Sequence, residues 1–215
     1  MNLPESLLLL ATPAGTAGTP RGGHRLNLAL AGAELAEAAA AGLVRLHGGL
    51  LAAPAAHAPG DSDLDGVLAA LVHRPRPATP REWLDARHAH VRAVYLTRLG
   101  CGQAVQRRPR RMFGLLHTDG YRVADADAYA QTRRRVHEAV HGGGEADQEA
   151  AALAALAHLA GLGPSLYPGP AGGAARTAMA ALPRAGQASA PVREMLTAVG
   201  AAIDATLCAA AVSCR

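Results

Sequence analysis

Residues 136–147 read VHEAVHGGGEAD, which places His137, Glu138 and His141 in the spacing H-E-x-x-H, with Asp147 six positions further on. Two histidines four residues apart share one face of a helix and can hold a zinc ion together, while the intervening glutamate can act as a general base. Asp147 could supply a third ligand after a glycine-permitted turn. Three features of the sequence favour a plainer origin. The chain has 10 histidines, so the spacing arises readily from composition. Three glycines directly after His141 end the helix. Asp147 is well placed as the N-cap of the next one. The reading is therefore no metal, no cofactor and no catalytic residue, with a zinc-dependent hydrolase kept as an alternative. His88 and His90 are two apart, a spacing that does not put both on one helix face, and they form no metal pair.

Two other clusters suggest binding rather than catalysis. Arg107, Arg108, Arg110 and Arg111 surround Pro109, and Met112, Phe113, Leu115 and Leu116 follow at once. Guanidinium groups meet lipid phosphates, at about 1 kcal/mol each near an anionic surface, and adjacent apolar side chains can enter the acyl boundary. The alternative is a solvated turn on a strand packed against the body of the protein. Arg21, His24 and Arg25 precede the first long helix and, with Arg92, could line a pocket for an anionic headgroup; the plainer reading is surface charge beside a loop. Arg133, Arg134 and Arg135 point in different directions from one helix and read as a solvated face.

The elements that must carry these residues are mostly helical. Half the residues are hydrophobic, many of them alanine, and aromatics make up only 3%. Such a composition favours packed helices over a β-sandwich. An apolar helical turn or two opens the chain. A helix is expected over residues 26–41, stopped by Gly42. LVRLHGGLLAA reads as a hairpin, because Gly48-Gly49 supplies the positive φ angles of a two-residue turn. Asp61 or Ser62 caps a helix to Val72. Thr79, Pro80 and Glu82 form a capping box for a helix running to Leu99, with Trp83, Leu84, Val91, Val94 and Tyr95 near one face. QAVQRRPRRMFGLLH is expected as two short strands around an Arg-Pro turn. Further helices are expected from Asp125 or Asp127 to Gly142, from Asp147 to Ala160, near residues 174–182, and from Pro191 onward.

Length, charge and cysteines bound the rest. The 215 residues suit one domain over 1–215. All 21 basic residues are arginine, and the formal charge of +4 makes anionic partners plausible. No helix-turn-helix spacing or aromatic stacking platform is evident, so nucleic acid is not expected as a partner, although a nucleic-acid binder remains an alternative. Cys101, Cys208 and Cys214 form no disulfide framework and fit a reducing cytoplasm. The apolar run from Met195 to Cys214 has Asp204 at its middle and is read as a buried bundle helix rather than a membrane span.

The ordered segments LPESLLLLAT, RLNLALAGAELAEAAAAGLV, APGDSDLDGVLAALV, REWL, RMFGLLHTDGYRV and TRRRVHEAVHGGGEADQEAAALAAL resemble the Golgi phosphoprotein 3 family across nearly the whole chain. Pro59 to Asp65 carries a shifted form of its P-x-G-D-x-x-L-D stretch. The chain looks like a bacterial, actinomycete-type member. The resemblance implies an all-α fold: a central four-helix bundle ringed by amphipathic helices, with one or two small β-hairpins. It also implies a non-catalytic, cytoplasmic protein, peripheral at the inner face of the membrane. Eukaryotic members bind phosphatidylinositol 4-phosphate and act as adaptors, using one Trp and three Arg in the headgroup pocket and a hydrophobic hairpin in membrane contact and self-association. Those four positions fall near Gly22 and at Ala31, Ala89 and Arg92, and Arg92 alone keeps the residue type. The expected partners are an anionic membrane lipid with a phosphoinositide-like headgroup, a protein cargo of unknown identity and a second copy of the chain. Within this resemblance His137 and His141 sit on a family helix as incidental residues.

Overall fold

Helix α2 (Gly23–Ala40) is apolar almost all the way round, and Leu26, Leu28, Leu30 and Leu35 are fully buried. A helix of that kind has to lie inside a protein, because no face of it suits water. In the computed structural model, which describes residues 1–53, 62–112, 116–142, 147–183 and 188–213, α2 forms a central group with three other helices. They are α1 (Leu3–Ala11), α7 (Gln148–Leu159) and α10 (Ala190–Ser213). Helices α2 and α7 each touch the other three members of this central group. Around it lie α3 (Ser62–Val72), α4 (Pro80–Arg87), α5 (Val91–Cys101), α6 (Ala126–His141), the single turn α8 (Gly163–Leu166) and α9 (Gly173–Ala181). A 3-10 turn (Pro170–Gly172) leads into α9, and two antiparallel hairpins are present: β1 (Arg45–His47) with β2 (Leu50–Ala52), and β3 (Val105–Met112) with β4 (Leu116–Val123). The expected mostly helical fold with small hairpins is what the chain adopts.

Local signals place most of these elements. Asn2 and Glu5 close a capping box on α1, and Thr79 and Glu82 close another on α4. Glu82 lies below the usual carboxylate range, first because the backbone N–H of Thr79 donates to it. Gly48 and Gly49 take φ angles of 57° and 78°, as the two-residue turn between β1 and β2 requires. Asp125 and Asp147 accept backbone N–H bonds at the starts of α6 and α7.

Three expectations need correction. The helix expected from Thr79 to Leu99 is two helices. His88 ends the first, its ring nitrogen Nδ1 lying 3.2 Å from the Leu84 carbonyl and 3.0 Å from that of Asp85. This break shifts the helical phase, so Trp83, Leu84, Val91 and Tyr95 are buried while Val94 is exposed. The Arg-Pro segment holds no turn. Residues 105–112 form one strand that passes through Pro109, paired opposite Asp119, and the chain reverses between Met112 and Leu116. Proline is tolerated there because its missing N–H matters little on a two-stranded ribbon with free edges. Finally, α10 is not buried all round. Val192, Met195, Leu196, Val199, Ala202 and Ile203 form one buried stripe, and the alanine-rich opposite side faces out. Residues 190–212 are long and apolar enough to cross a membrane by length and composition, with 28% of their most apolar window buried.

Helices α2 and α10 approach closely at Gly32. A Cβ built on Gly32 would stand 2.3 Å from Cγ1 of Val199. Valine in a helix has one strongly preferred rotamer and cannot swing away cheaply. Gly32→Ala is therefore expected to cost about 2 kcal/mol, as overpacking of a close contact, measured by urea denaturation. Combined with Val199→Ala, the two losses should add to less than their sum; strict additivity would show that this contact does not set the spacing.

Candidate functional site

The cationic candidates Arg21, His24 and Arg25 gather at the start of α2. The chain enters the helix through Gly22, whose φ of 99° favours glycine and whose Cβ would lie 2.8 Å from the Ala160 carbonyl oxygen. A tryptophan at position 22 itself would be strained in this backbone. Gly22 offers no side-chain cap, so the first N–H groups of an 18-residue helix open to solvent beside three exposed basic residues. The His24 ring meets that of His88 edge-on at 5.0 Å. Arg25 donates to Asp204 of α10 at 3.2 Å, an exposed pair that holds little energy and leaves the guanidinium free to exchange partners. His158 stands close by. Burial, and then the charge of Arg25, hold its imidazole below the usual range, against the opposing effect of Asp204.

Arg92 is half-buried on α5, four residues beyond His88. Among the described residues no hydrogen bond or ring contact joins it to Arg21, His24 or Arg25. Ala31 is fully buried in the core, and Ala89 is exposed in the break between α4 and α5.

The hairpin arginines are partly engaged. Arg107 is exposed and pairs with Asp119 across the strands at 2.7 Å, and this hydrogen bond raises its already high pKa. Arg108 is exposed on the following position, which an extended strand turns to the other face. Arg110, Arg111 and Met112 belong to β3 by backbone register, and Phe113 lies outside the described residues. The base of the hairpin is anchored by Val105 and Val123 in the core and by a bridge between Gly18 and Tyr121.

The H-E-x-x-H residues lie on the exposed side of α6. The His137 and His141 rings pack at 4.1 Å, and His141 Nδ1 lies 3.0 Å from the His137 carbonyl. Asp147 is used elsewhere. Arg135 donates to its Oδ2 at 2.6 Å, and the Glu149 backbone N–H donates to its Oδ1 at 3.0 Å. Burial pushes this carboxyl up, but the bond from Arg135 and the backbone N–H groups outweigh it and hold Asp147 below the usual range. Its geometry is that of a helix cap in an ion pair. Among the described residues no three His, Cys, Asp or Glu side chains gather as a metal site.

Sequence reasoning missed one cluster altogether. Glu34 of α2 is 1% exposed, in the middle of an apolar helix. Arg87 Nε donates to it at 3.0 Å, Arg87 Nη2 donates to its other oxygen, and the Tyr95 hydroxyl donates at 3.3 Å. The bond to Glu34 raises the pKa of Arg87; burial and then the Glu34 charge push the Tyr95 phenol far up. The Arg87 guanidinium also lies 5.5 Å from the centre of the Trp83 ring, whose Nε1–H donates to the Ala31 carbonyl at 3.1 Å. The available signal was a charged residue at a core position of α2. The Glu34 carboxylate is enclosed while Arg87 keeps one side toward solvent, and the cluster locks α2, α4 and α5 together.

The comparisons with known proteins agree with the fold. No curated protein matches the chain in sequence. The family model described as Golgi phosphoprotein 3 (GPP34) matches residues 3–199, from the first residue of α1 to the middle of α10. The chain belongs to the Golgi phosphoprotein 3 (GPP34) family.

Proposed function

We propose that this protein is a non-catalytic, peripheral membrane protein that docks on anionic lipid headgroups from the cytoplasmic side. The observation that carries the reading is the uncapped N-terminus of α2, open to solvent and ringed by Arg21, His24 and Arg25. Partial positive charge from the free N–H groups adds to the side chains there, which is the usual setting for a phosphate. Within this proposal the half-buried Arg92 and the exposed Arg108 of the hairpin are further candidates for lipid contact. Family membership supports the same direction, and a phosphoinositide-like headgroup, a protein cargo and self-association through the hairpin belong to this proposal.

The test is co-sedimentation of the purified protein with neutral liposomes, with anionic liposomes, and with liposomes containing phosphatidylinositol 4-phosphate. Anionic liposomes should bind and neutral ones should not. At about 1 kcal/mol per arginine near such a surface, the double substitution Arg21→Ala/Arg25→Ala should weaken binding by roughly tenfold or more. Equal binding to neutral and anionic liposomes, or no loss in the double variant, would remove the basis of the proposal.

A further inference from the structure

A cleft of about 600 Å³ between α6 and the α8 turn, on elements apart from the α2 corner, has no role in the reading above. Its walls are Tyr129, Arg133, Arg134 and His137 from α6, and Leu166 and Tyr167 from the far side. The His137 and Tyr167 rings lie nearly parallel, 29° apart with centroids at 6.2 Å, and the His141 ring packs beside both, 4.1 Å from His137 and 5.8 Å from Tyr167. Arg133 Nη2 donates to the Leu166 carbonyl at 3.4 Å, a long bond that fixes the guanidinium at the cleft while leaving its other donors open. Neither Arg133 nor Arg134 has an ion-pair partner among the described residues, whereas their neighbour Arg135 is taken by Asp147 and Glu149. Asp127 and Glu138 lie on the far side of Arg134, along an adjoining groove.

We infer that this cleft is a binding site for a small ligand that joins a flat ring to an anionic group such as a phosphate monoester. Planar aromatic walls bind a ring by stacking, and a guanidinium fork recognises phosphate through paired N–H bonds. The two requirements meet here within one cavity of small-molecule size. Burial, opposed by the charge of Arg133, pushes the Tyr167 phenol up.

Titration calorimetry with phenyl phosphate, inorganic phosphate and phenol tests the two halves of the site separately. Phenyl phosphate should bind saturably, and each half-ligand should bind at least about tenfold more weakly. Arg133→Gln should weaken phenyl phosphate by roughly tenfold, the loss of one charge-assisted bond. Since Arg133 also holds Leu166, its thermal melt is compared with the parent, and Arg134→Gln, which breaks no hydrogen bond among the described residues, provides a second variant with a smaller loss in the same direction. Absence of binding up to about 10 mM, binding of inorganic phosphate as tight as phenyl phosphate, or unchanged affinity in both variants would overturn the assignment.

Discussion

Arg87→Ala is expected to destabilise the protein by roughly 3 kcal/mol, at the lower end of the cost of breaking a buried ion pair. The carboxylate of Glu34 is almost fully enclosed, and Arg87 supplies two of the three hydrogen bonds it receives from side chains. Without the guanidinium, one Tyr95 hydroxyl is left to satisfy a charge in an apolar interior. The Arg87 side chain is itself 30% exposed, so some water can follow it in, which keeps the estimate from the upper end of the range. The pair is not thereby an efficient source of stability. Glu34→Met combined with Arg87→Leu removes both charges and keeps the volume, and it should lie within about 1 kcal/mol of the parent. Urea denaturation followed by far-ultraviolet circular dichroism reads both variants. A harmless Arg87→Ala, or a double variant as damaged as the single one, would show that Glu34 is satisfied by something other than this pair.

Trp83→Ala should cost roughly 3–5 kcal/mol, the range for deleting a large buried aromatic residue. Trp83 is 1% exposed and is the largest side chain in the core. Its removal opens a cavity between α4 and α2, takes away the donor to the Ala31 carbonyl, and strips the aromatic face from beside Arg87. Trp83→Phe separates these effects. It keeps most of the packing and loses the N–H, so it should cost about 1–2 kcal/mol. Because Trp83 and Arg87 touch, the double alanine variant should lose less than the two single losses combined. Since Trp83 is the chain's one tryptophan, circular dichroism rather than fluorescence has to follow these transitions. A Trp83→Phe loss as large as that of Trp83→Ala would mean that the hydrogen bond, not the packing, holds α4 in place.

Local chemistry explains why so many elements could be read directly. Thr79, Pro80 and Glu82 satisfy the first N–H groups of α4 without help from any distant residue. Gly48 and Gly49 make their turn by backbone freedom alone, and Asp147 caps α7 within two residues of itself. These signals act over three or four positions, so the amino-acid order states them outright. The helical state of α10 was equally legible, but the limitation of its burial to one stripe was not. Alanine is apolar enough to be buried and small enough to be left outside, and only the helices actually packed around it decide which.

What the sequence determined by itself was therefore the helical class, the capped boundaries, the first hairpin and the resemblance to a family that its model then matched over residues 3–199. Tertiary structure decided the rest. It drew Arg87 and Tyr95 to Glu34 from 53 and 61 residues away, set Arg25 against Asp204 across 179 residues, and put Tyr167 opposite His137 to form a cleft. It also set Arg135 against Asp147. Charges and rings far apart in the chain meet only after the apolar faces have chosen their partners, and no local spacing records that choice.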